Sequence, residues 1–216
     1  MTPRRACARS RLPRNVAGPR PVLVAAVLAA CAAGCATASL PAPAVVAGAR
    51  AASTYSGSLS VSVKGPEFRG RTQVLLGFRR PKALRIEIPG PTGPRLVAVA
   101  NEGALVAVFP RERAVFRGGA ESADLAALFG VDLSPEELID LLVGVRSPRL
   151  RSDETRWGPS LPRQITAVLA DGTVLKATAE DVEAGRALGD EVFAPPPHEG
   201  FRVVDAAEAR RLWGGR

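Results

Sequence analysis

The chain has 216 residues, of which 46% are hydrophobic, and a formal net charge of +8. Six arginines lie within its first 30 residues, which contain no acidic residue, so the rest of the chain has a net charge of only about +2. A basic stripe with interleaved aromatic residues would indicate nucleic-acid binding, and the sequence after residue 30 has no such stripe. Composition and charge therefore exclude nucleic acid as the expected partner.

Residues 1–30 are typical of a signal peptide. An arginine-rich segment precedes the apolar run 22–30, which is too short to span a bilayer because a transmembrane helix needs about 20 apolar residues. No later segment has the 18 or so successive apolar residues that would indicate a span. We therefore expect this leader to be removed.

The three cysteines, Cys7, Cys31 and Cys35, all lie near the start of the chain, so we expect no disulfide within the folded region. Two cysteines are too few for a zinc site, and the single histidine, His198, is remote from them in sequence. No metal site is therefore expected.

Cys31 follows Leu28, Ala29 and Ala30 directly after the apolar run. This segment resembles the bacterial lipobox, whose cysteine accepts diacylglycerol and then an N-acyl chain. Cys35 follows a weaker version of the pattern and is the alternative. By this resemblance the mature chain begins with three acyl chains, which anchor it permanently because each buried CH₂ contributes roughly 0.8 kcal/mol. Beyond these covalent chains we expect no cofactor.

Residues 31–52 are predicted to form the acylated N-terminus and a flexible tether, because the stretch from residue 36 is rich in Ala, Pro, Ser and Thr without periodicity. Ala32, or Ala36 in the alternative, follows the cysteine where an inner-membrane retention signal has aspartate. The expected location is therefore the periplasmic face of the outer membrane, reached through the lipid anchor.

Residues 53–216 are predicted to form a single domain that starts as an antiparallel meander. Tyr55, Leu59, Val61 and Val63 alternate with serines, which indicates a half-buried strand. Further strands are predicted at 71–80, 84–88, 96–100, 105–109 and 114–117.

The period then becomes helical. Ser134 as N-cap, Pro135 as the first helical residue and Glu137 three positions after the cap form a capping box. The other elements predicted in the second half are a helix at 125–129 ending at Gly130, strands at 164–169 and 173–178 around an Asp171-Gly172 turn, a segment at 192–193, a strand at 201–204 and a helix from Asp205 to Trp213. The expected fold class is mainly β with short helices, an α+β fold.

The order of these elements, and the amino-acid sequences of several segments, resemble the LolA/LolB lipoprotein-carrier superfamily over about residues 53–205. The matching segments are FRRPKALR at 78–85, NEG at 101–103, FRG at 116–118, LSPEELIDLLVG at 133–144 and EVFAPP at 191–196. The resemblance implies an open antiparallel half-barrel of about eleven strands with a helical lid. It further implies that sheet and lid enclose an apolar cavity for acyl chains.

The resemblance assigns the cavity and lid to apolar residues of two strands and one helix. They are Leu76, Phe78, Leu84, Ile86, Ile88, Leu138, Leu141 and Leu142. It also implies that Arg80 acts as a gate by hydrogen bonding to the lid helices. Strand alternation independently places Arg80 on the apolar face of its strand, where it needs acceptors. Helix carbonyls at 142–144 are the expected acceptors, and the alternative is that Arg80 extends to solvent.

The LolB branch of the superfamily is itself lipid-anchored and delivers lipoproteins through a protruding loop with leucine at its tip. Here Pro91, Thr92 and Gly93 occupy the matching place. Because threonine is a poor membrane probe, insertion of cargo by this route is in doubt.

The resemblance implies a monomeric lipoprotein that binds acyl chains of lipoproteins or lipids, receives them from a periplasmic LolA-like carrier and takes part in lipoprotein localisation. The alternative is a structural or interaction lipoprotein of the envelope whose core is filled. We do not expect an enzyme. His198 lies in a proline-rich loop without a nucleophile motif, and Glu136-Glu137 meets the positive end of a helix.

We predict that Cys31→Ala abolishes both membrane fractionation and incorporation of labelled palmitate, because the cysteine sulfur is the site of acylation. Labelling that persists and disappears only with Cys35→Ala would assign the anchor to Cys35. Labelling and fractionation that survive both substitutions would contradict the lipoprotein hypothesis.

Overall fold

The chain divides into two units, Met1–Leu40 and Pro41–Arg216. The computed structural model describes residues 41–66 and 68–214, which belong to the second unit. The predicted signal peptide, Cys31 and Cys35 lie outside the described residues.

The described residues form ten strands and four α-helices. The strands are β1 (Thr54–Lys64), β2 (Arg69–Arg79), β3 (Ala83–Ile88), β4 (Leu96–Asn101), β5 (Ala104–Phe109), β6 (Ala114–Gly119), β7 (Leu150–Trp157), β8 (Pro162–Leu169), β9 (Val174–Ala184) and β10 (Arg202–Val204). The α-helices are α1 (Pro43–Ala51), α2 (Ser122–Phe129), α3 (Pro135–Leu142) and α4 (Ala206–Gly214). A short 3-10 helix spans Asp190–Phe193.

The strands form one sheet in the order β10-β6-β5-β4-β3-β2-β1-β9-β8-β7. All neighbours are antiparallel except β10, which runs parallel to β6. The end strands β7 and β10 do not pair with each other in the described chain, so the sheet stays open. This arrangement confirms the predicted fold class, with ten described strands where the resemblance implied about eleven.

The turn between β8 and β9 is stabilised by Asp171. Its carboxylate accepts hydrogen bonds from the backbone N and the hydroxyl of Thr173, each at 2.8 Å. These bonds hold the pKa of Asp171 below its ordinary value. Gly172 follows with a φ of 88°, which glycine adopts without steric cost. The predicted Asp-Gly hairpin signal is therefore confirmed.

The start of α3 is fixed by the predicted capping box. The Ser134 hydroxyl accepts from the Glu137 backbone N at 3.2 Å, and the Glu137 carboxylate accepts from the Ser134 backbone N at 2.9 Å. The second oxygen of Glu137 accepts from the Ser147 hydroxyl at 2.8 Å. The helix therefore starts at a defined residue and is tied to the segment that leads into β7.

Helix α4 donates hydrogen bonds to carbonyls at the C-terminal end of α2. The Trp213 indole donates to Leu128 O at 2.8 Å, and Arg210 donates to the carbonyls of Ala126 and Ala127. Because the last carbonyls of a helix have no partner within it, these bonds stabilise the packing of α4 on α2.

Three segments differ from the sequence-based expectations. Residues Pro43–Ala51, assigned to a flexible tether, form α1 with Ala49 buried, because a proline at its start and four alanines favour helix. Strand β7 was not predicted because its side chains are mostly charged and exposed, as an edge strand tolerates. Asp190–Phe193 is a 3-10 helix, whereas the sequence analysis grouped 192–193 with the strands.

Among the described residues no helix is both long and apolar enough to cross a membrane.

Candidate functional site

A cavity of about 110 Å³ lies between the sheet and the helices. Strands β1, β2, β3, β8 and β9 supply one side, and α2, α3 and Trp213 of α4 supply the other. The residues that line it are Leu59, Val61, Val63, Phe68, Gly70, Thr72, Val74, Leu76, Ile86, Ile88, Leu125, Phe129, Val131, Leu138, Leu141, Leu142, Ile165, Leu175, Ala177 and Trp213. The cavity is therefore almost wholly apolar.

Strand alternation and helix periodicity explain which side chains reach the cavity. Gly70, Thr72, Val74 and Leu76 occupy every second position of β2 and so share one face of the sheet. Leucines at i, i+3 and i+4 of α3 face them: Leu138, Leu141 and Leu142. The same residues that stabilise the packing of α3 on the sheet thus form the inner surface of the cavity.

Six of the eight predicted cavity and lid residues line the cavity: Leu76, Ile86, Ile88, Leu138, Leu141 and Leu142. Phe78 and Leu84 do not. They pair across β2 and β3, are almost completely buried, and belong to solid core. Phe78 also stacks on Tyr55 with ring centroids 5.2 Å apart, and burial raises the pKa of the Tyr55 phenol far above its ordinary value.

The size of the cavity limits what it holds in this conformation. An engineered apolar cavity of roughly 150 Å³ stays dry and accepts one benzene molecule. A cavity of about 110 Å³ is smaller than that, so a long acyl chain does not fit beneath the helices as they stand. Binding such a chain requires that a helix move away from the sheet.

Arg80 connects the sheet to α3, and we call its ion pair with Asp140 the latch. An Arg80 nitrogen lies 2.9 Å from the Asp140 carboxylate, and both side chains are 30% exposed. The Nε of Arg80 also donates to Ala52 O at 3.2 Å. The prediction that Arg80 donates to carbonyls at 142–144 is wrong. Of these carbonyls, Gly144 O accepts from Arg50 instead. Arg80 therefore binds a lid helix through a carboxylate.

The loop at 91–93 presents no apolar side chain at its tip. Pro91, Thr92 and Gly93 are exposed, and the Thr92 hydroxyl accepts a hydrogen bond from Arg111 at 2.8 Å. The tip is therefore polar and attached to the neighbouring β5–β6 turn.

Both ring nitrogens of His198 form hydrogen bonds within the protein. Its Nε2 lies 2.8 Å from an Arg117 nitrogen, which is always a donor, so Nε2 accepts. Nδ1 then carries the proton and donates to Pro196 O at 2.8 Å. Among the described residues no cluster of three or more His, Cys, Asp or Glu side chains could hold a metal ion.

Sequence reasoning missed the cavity residues supplied by β1, the first half of β2, α2, β8, β9 and α4 and by the segments next to them. Leu175 and Ala177 lie on a strand that was predicted, and its alternation was a usable signal for their direction. Phe68 precedes β2 and packs against Trp213 with ring centroids 5.0 Å apart. That contact joins residues distant in sequence, so no local pattern indicated it.

The sequence matches no protein-family model and no curated protein. Among solved structures it is similar to a LolA superfamily protein from Nitrosomonas europaea, with 10% identity, a TM-score of 0.41 and coverage of 73% of this chain and 99% of that one. An uncharacterised conserved protein from Thermus thermophilus has 11% identity, a TM-score of 0.41 and coverage of 72% and 91%. A putative outer membrane lipoprotein-sorting protein domain from Vibrio parahaemolyticus has 7% identity, a TM-score of 0.36 and coverage of 65% and 88%. Similarity at this level carries no conclusion about ligand or activity.

A larger side chain inside the cavity tests whether the cavity has room for additional atoms. We predict that Ala177→Leu, which adds three carbons inside the cavity, leaves the free energy of unfolding unchanged or raises it. Ala167→Leu on neighbouring β8 is the matched control, because Ala167 is fully buried and does not line the cavity. Overpacking there should lower the free energy of unfolding by about 1–3 kcal/mol. Denaturant unfolding measures both, and equal destabilisation would contradict the cavity.

Proposed function

We propose that this protein is a lipid-anchored lipoprotein on the periplasmic face of the outer membrane, which binds acyl chains of lipoproteins or lipids and takes part in lipoprotein localisation. The observation that carries the proposal is the apolar cavity of about 110 Å³ between the sheet and α3. The lipobox at Cys31 supports the anchor, and the sequence resemblance to the LolA/LolB superfamily supports the cargo class.

The cavity favours a binding role because an unfilled core is costly. Cavity volume lowers stability by roughly 24 cal/mol per Å³, so a void of about 110 Å³ corresponds to roughly 2–3 kcal/mol. A larger side chain at Ala177 would remove that cost. Retention of the space is therefore better explained by a ligand that enters it.

The latch is weak enough to open. Ion pairs exposed to solvent contribute about 1 kcal/mol or less, and the latch side chains are 30% exposed. The contacts of α3 with the cavity strands are apolar, and Glu137 also holds the helix to Ser147 and Arg149 before β7. An entering acyl chain replaces the apolar contacts and gains roughly 0.8 kcal/mol for each CH₂ that it buries. Burial of one or two CH₂ groups would therefore offset the loss of the ion pair.

The proposal includes transfer of cargo from a periplasmic carrier of the LolA type to a monomeric acceptor. It does not include insertion of cargo through the 91–93 loop, because Thr92 at its tip is polar and bonded to Arg111. No catalytic step is part of the proposal.

A second candidate is a structural lipoprotein of the envelope with no transfer activity. The observation that favours it is the small size of the cavity, which holds less than a benzene-sized ligand in this conformation. The two candidates differ in whether acyl chains reach the inner surface of the domain in cells.

We predict that a photoactivatable fatty acid supplied to growing cells forms light-dependent adducts on peptides that contain the cavity residues of α3 and β2. The full-length protein is purified after irradiation and its adducts are mapped by mass spectrometry, which separates them from covalent acylation of the N-terminal cysteine. Ala177→Leu should lower the adduct yield and Ala167→Leu should not. Adducts that are absent, or scattered evenly over exposed peptides, would favour the structural lipoprotein.

Opening the latch should change ligand release. We expect Arg80→Leu and Asp140→Leu each to speed release of a bound fluorescent fatty acid by roughly two- to fivefold, the range for a partly exposed ion pair. The double variant should add nothing further, because both changes remove the same interaction.

Arg79→Leu is the matched control for the latch. Arg79 pairs with Asp190, whose side chain is 92% exposed, and lies 5.0 Å from the Phe193 ring centroid, away from α3. Stopped-flow fluorescence measures all four variants. Equal and negligible effects of Arg80→Leu and Arg79→Leu would remove the latch from the account.

A further inference from the structure

Beside the first half of β2 the described sheet has no further strand on one side, and we call this gap next to the cavity the opening. Strand β3 pairs with β2 only from Leu75 onward, where Leu75 faces Glu87. In the described chain, no strand pairs with residues 69–74 on that side. Prolines follow β3 directly and turn the chain away. Gly70 and Thr72 therefore lie at a free strand edge while lining the cavity.

An arginine-rich groove lies outside this opening. Among its described lining residues, five are arginines and one is acidic, Glu112. The arginines are Arg69, Arg71, Arg95, Arg111 and Arg211. They come from β2, from the loop before β4, from the β5–β6 turn and from α4, so the fold gathers them from four separate segments.

These guanidinium groups are not neutralised within the described part of the chain. None of the five forms an ion pair with a described carboxylate. Arg95 donates to Trp213 O at 3.1 Å and Arg111 donates to Thr92. The side chains of Arg69, Arg71 and Arg211 are exposed and make no hydrogen bond to the described residues. Like charges held together in this way favour a bound anion.

We propose that this groove binds the phosphate headgroup of an anionic glycerophospholipid whose acyl chain enters the cavity through the opening at Gly70 and Thr72. The inference rests on the proposed function and adds to it the class of ligand. Guanidinium groups suit the headgroup because they bind phosphate oxygens through paired hydrogen bonds.

The groove and the cavity fit one amphiphilic molecule because they share lining residues. Phe68, Ile88 and Trp213 line both, so apolar side chains lie between the arginines and the interior. A nucleic acid or an acidic protein surface would use the arginines and leave this apolar surface unused. A phospholipid places its phosphate and its acyl chain at the two ends of the same path.

Headgroup preference tests the proposal. The full-length mature protein is reconstituted in phosphatidylcholine vesicles that hold a trace of either photoactivatable phosphatidylglycerol or photoactivatable phosphatidylcholine, each with the reactive group in its acyl chain. After irradiation, adducts on cavity peptides are quantified by mass spectrometry. We expect phosphatidylglycerol to exceed phosphatidylcholine by roughly tenfold, since charge-assisted hydrogen bonds distinguish the two headgroups.

The triple variant Arg69→Gln, Arg71→Gln, Arg211→Gln should bring the ratio of the two adducts close to one. The matched control, Arg151→Gln, Arg163→Gln, Lys176→Gln, removes the same charge from exposed positions on β7, β8 and β9 and should keep the preference.

Equal capture of both lipids by the unmodified protein would overturn the inference while leaving acyl-chain binding intact. Equal loss of preference in the two triple variants would also overturn it, because general charge attraction would then explain the preference. Absence of cavity adducts with either lipid would instead contradict the proposed function itself.

Discussion

The apolar face of an open sheet has to be covered, and the rest of this structure follows from that constraint. Ten strands in one sheet place Leu, Val and Ile side chains on a common face, and exposure of that face to water is unfavourable by roughly 25 cal/mol per Å². Strands that close into a barrel would bury it. Because β7 and β10 do not pair in the described chain, helices α2, α3 and α4 cover it instead.

The cover is incomplete in two ways that matter for function. It leaves an apolar cavity beneath α3, and it leaves the first half of β2 without a neighbouring strand on one side. The partly exposed ion pair of Arg80 and Asp140 holds α3 at the end of β2, while arginines lie beside the opening at the start of β2. The proposed binding of a molecule with an acyl chain and an anionic headgroup rests on this apolar interior and on the arginines beside it.

Local signals in the sequence predicted most of the fold and part of the site. The alternation from Tyr55 to Val63 and the capping box at Ser134 depend only on neighbouring residues, so both were visible without the structure. The partner of Arg80 was not, because Asp140 is one of several groups on α3 that strand alternation cannot distinguish. The arginine groove was missed for the same reason, since its members are spread over about 140 positions from Arg69 to Arg211. Strand β7 was missed because it carries charged residues at positions where an alternating strand pattern would have apolar ones.

The distance between α3 and the sheet tests the central claim most directly, because the account requires the cover to move when an acyl chain enters. Spin labels at the exposed positions Glu136, on α3, and Lys176, on β9, report that distance by pulsed electron resonance. The account predicts a distance distribution that shifts to longer values when a fatty acid is added and returns when it is removed. A distribution that stays unchanged while the fatty acid is demonstrably bound would contradict a cavity that opens beneath α3.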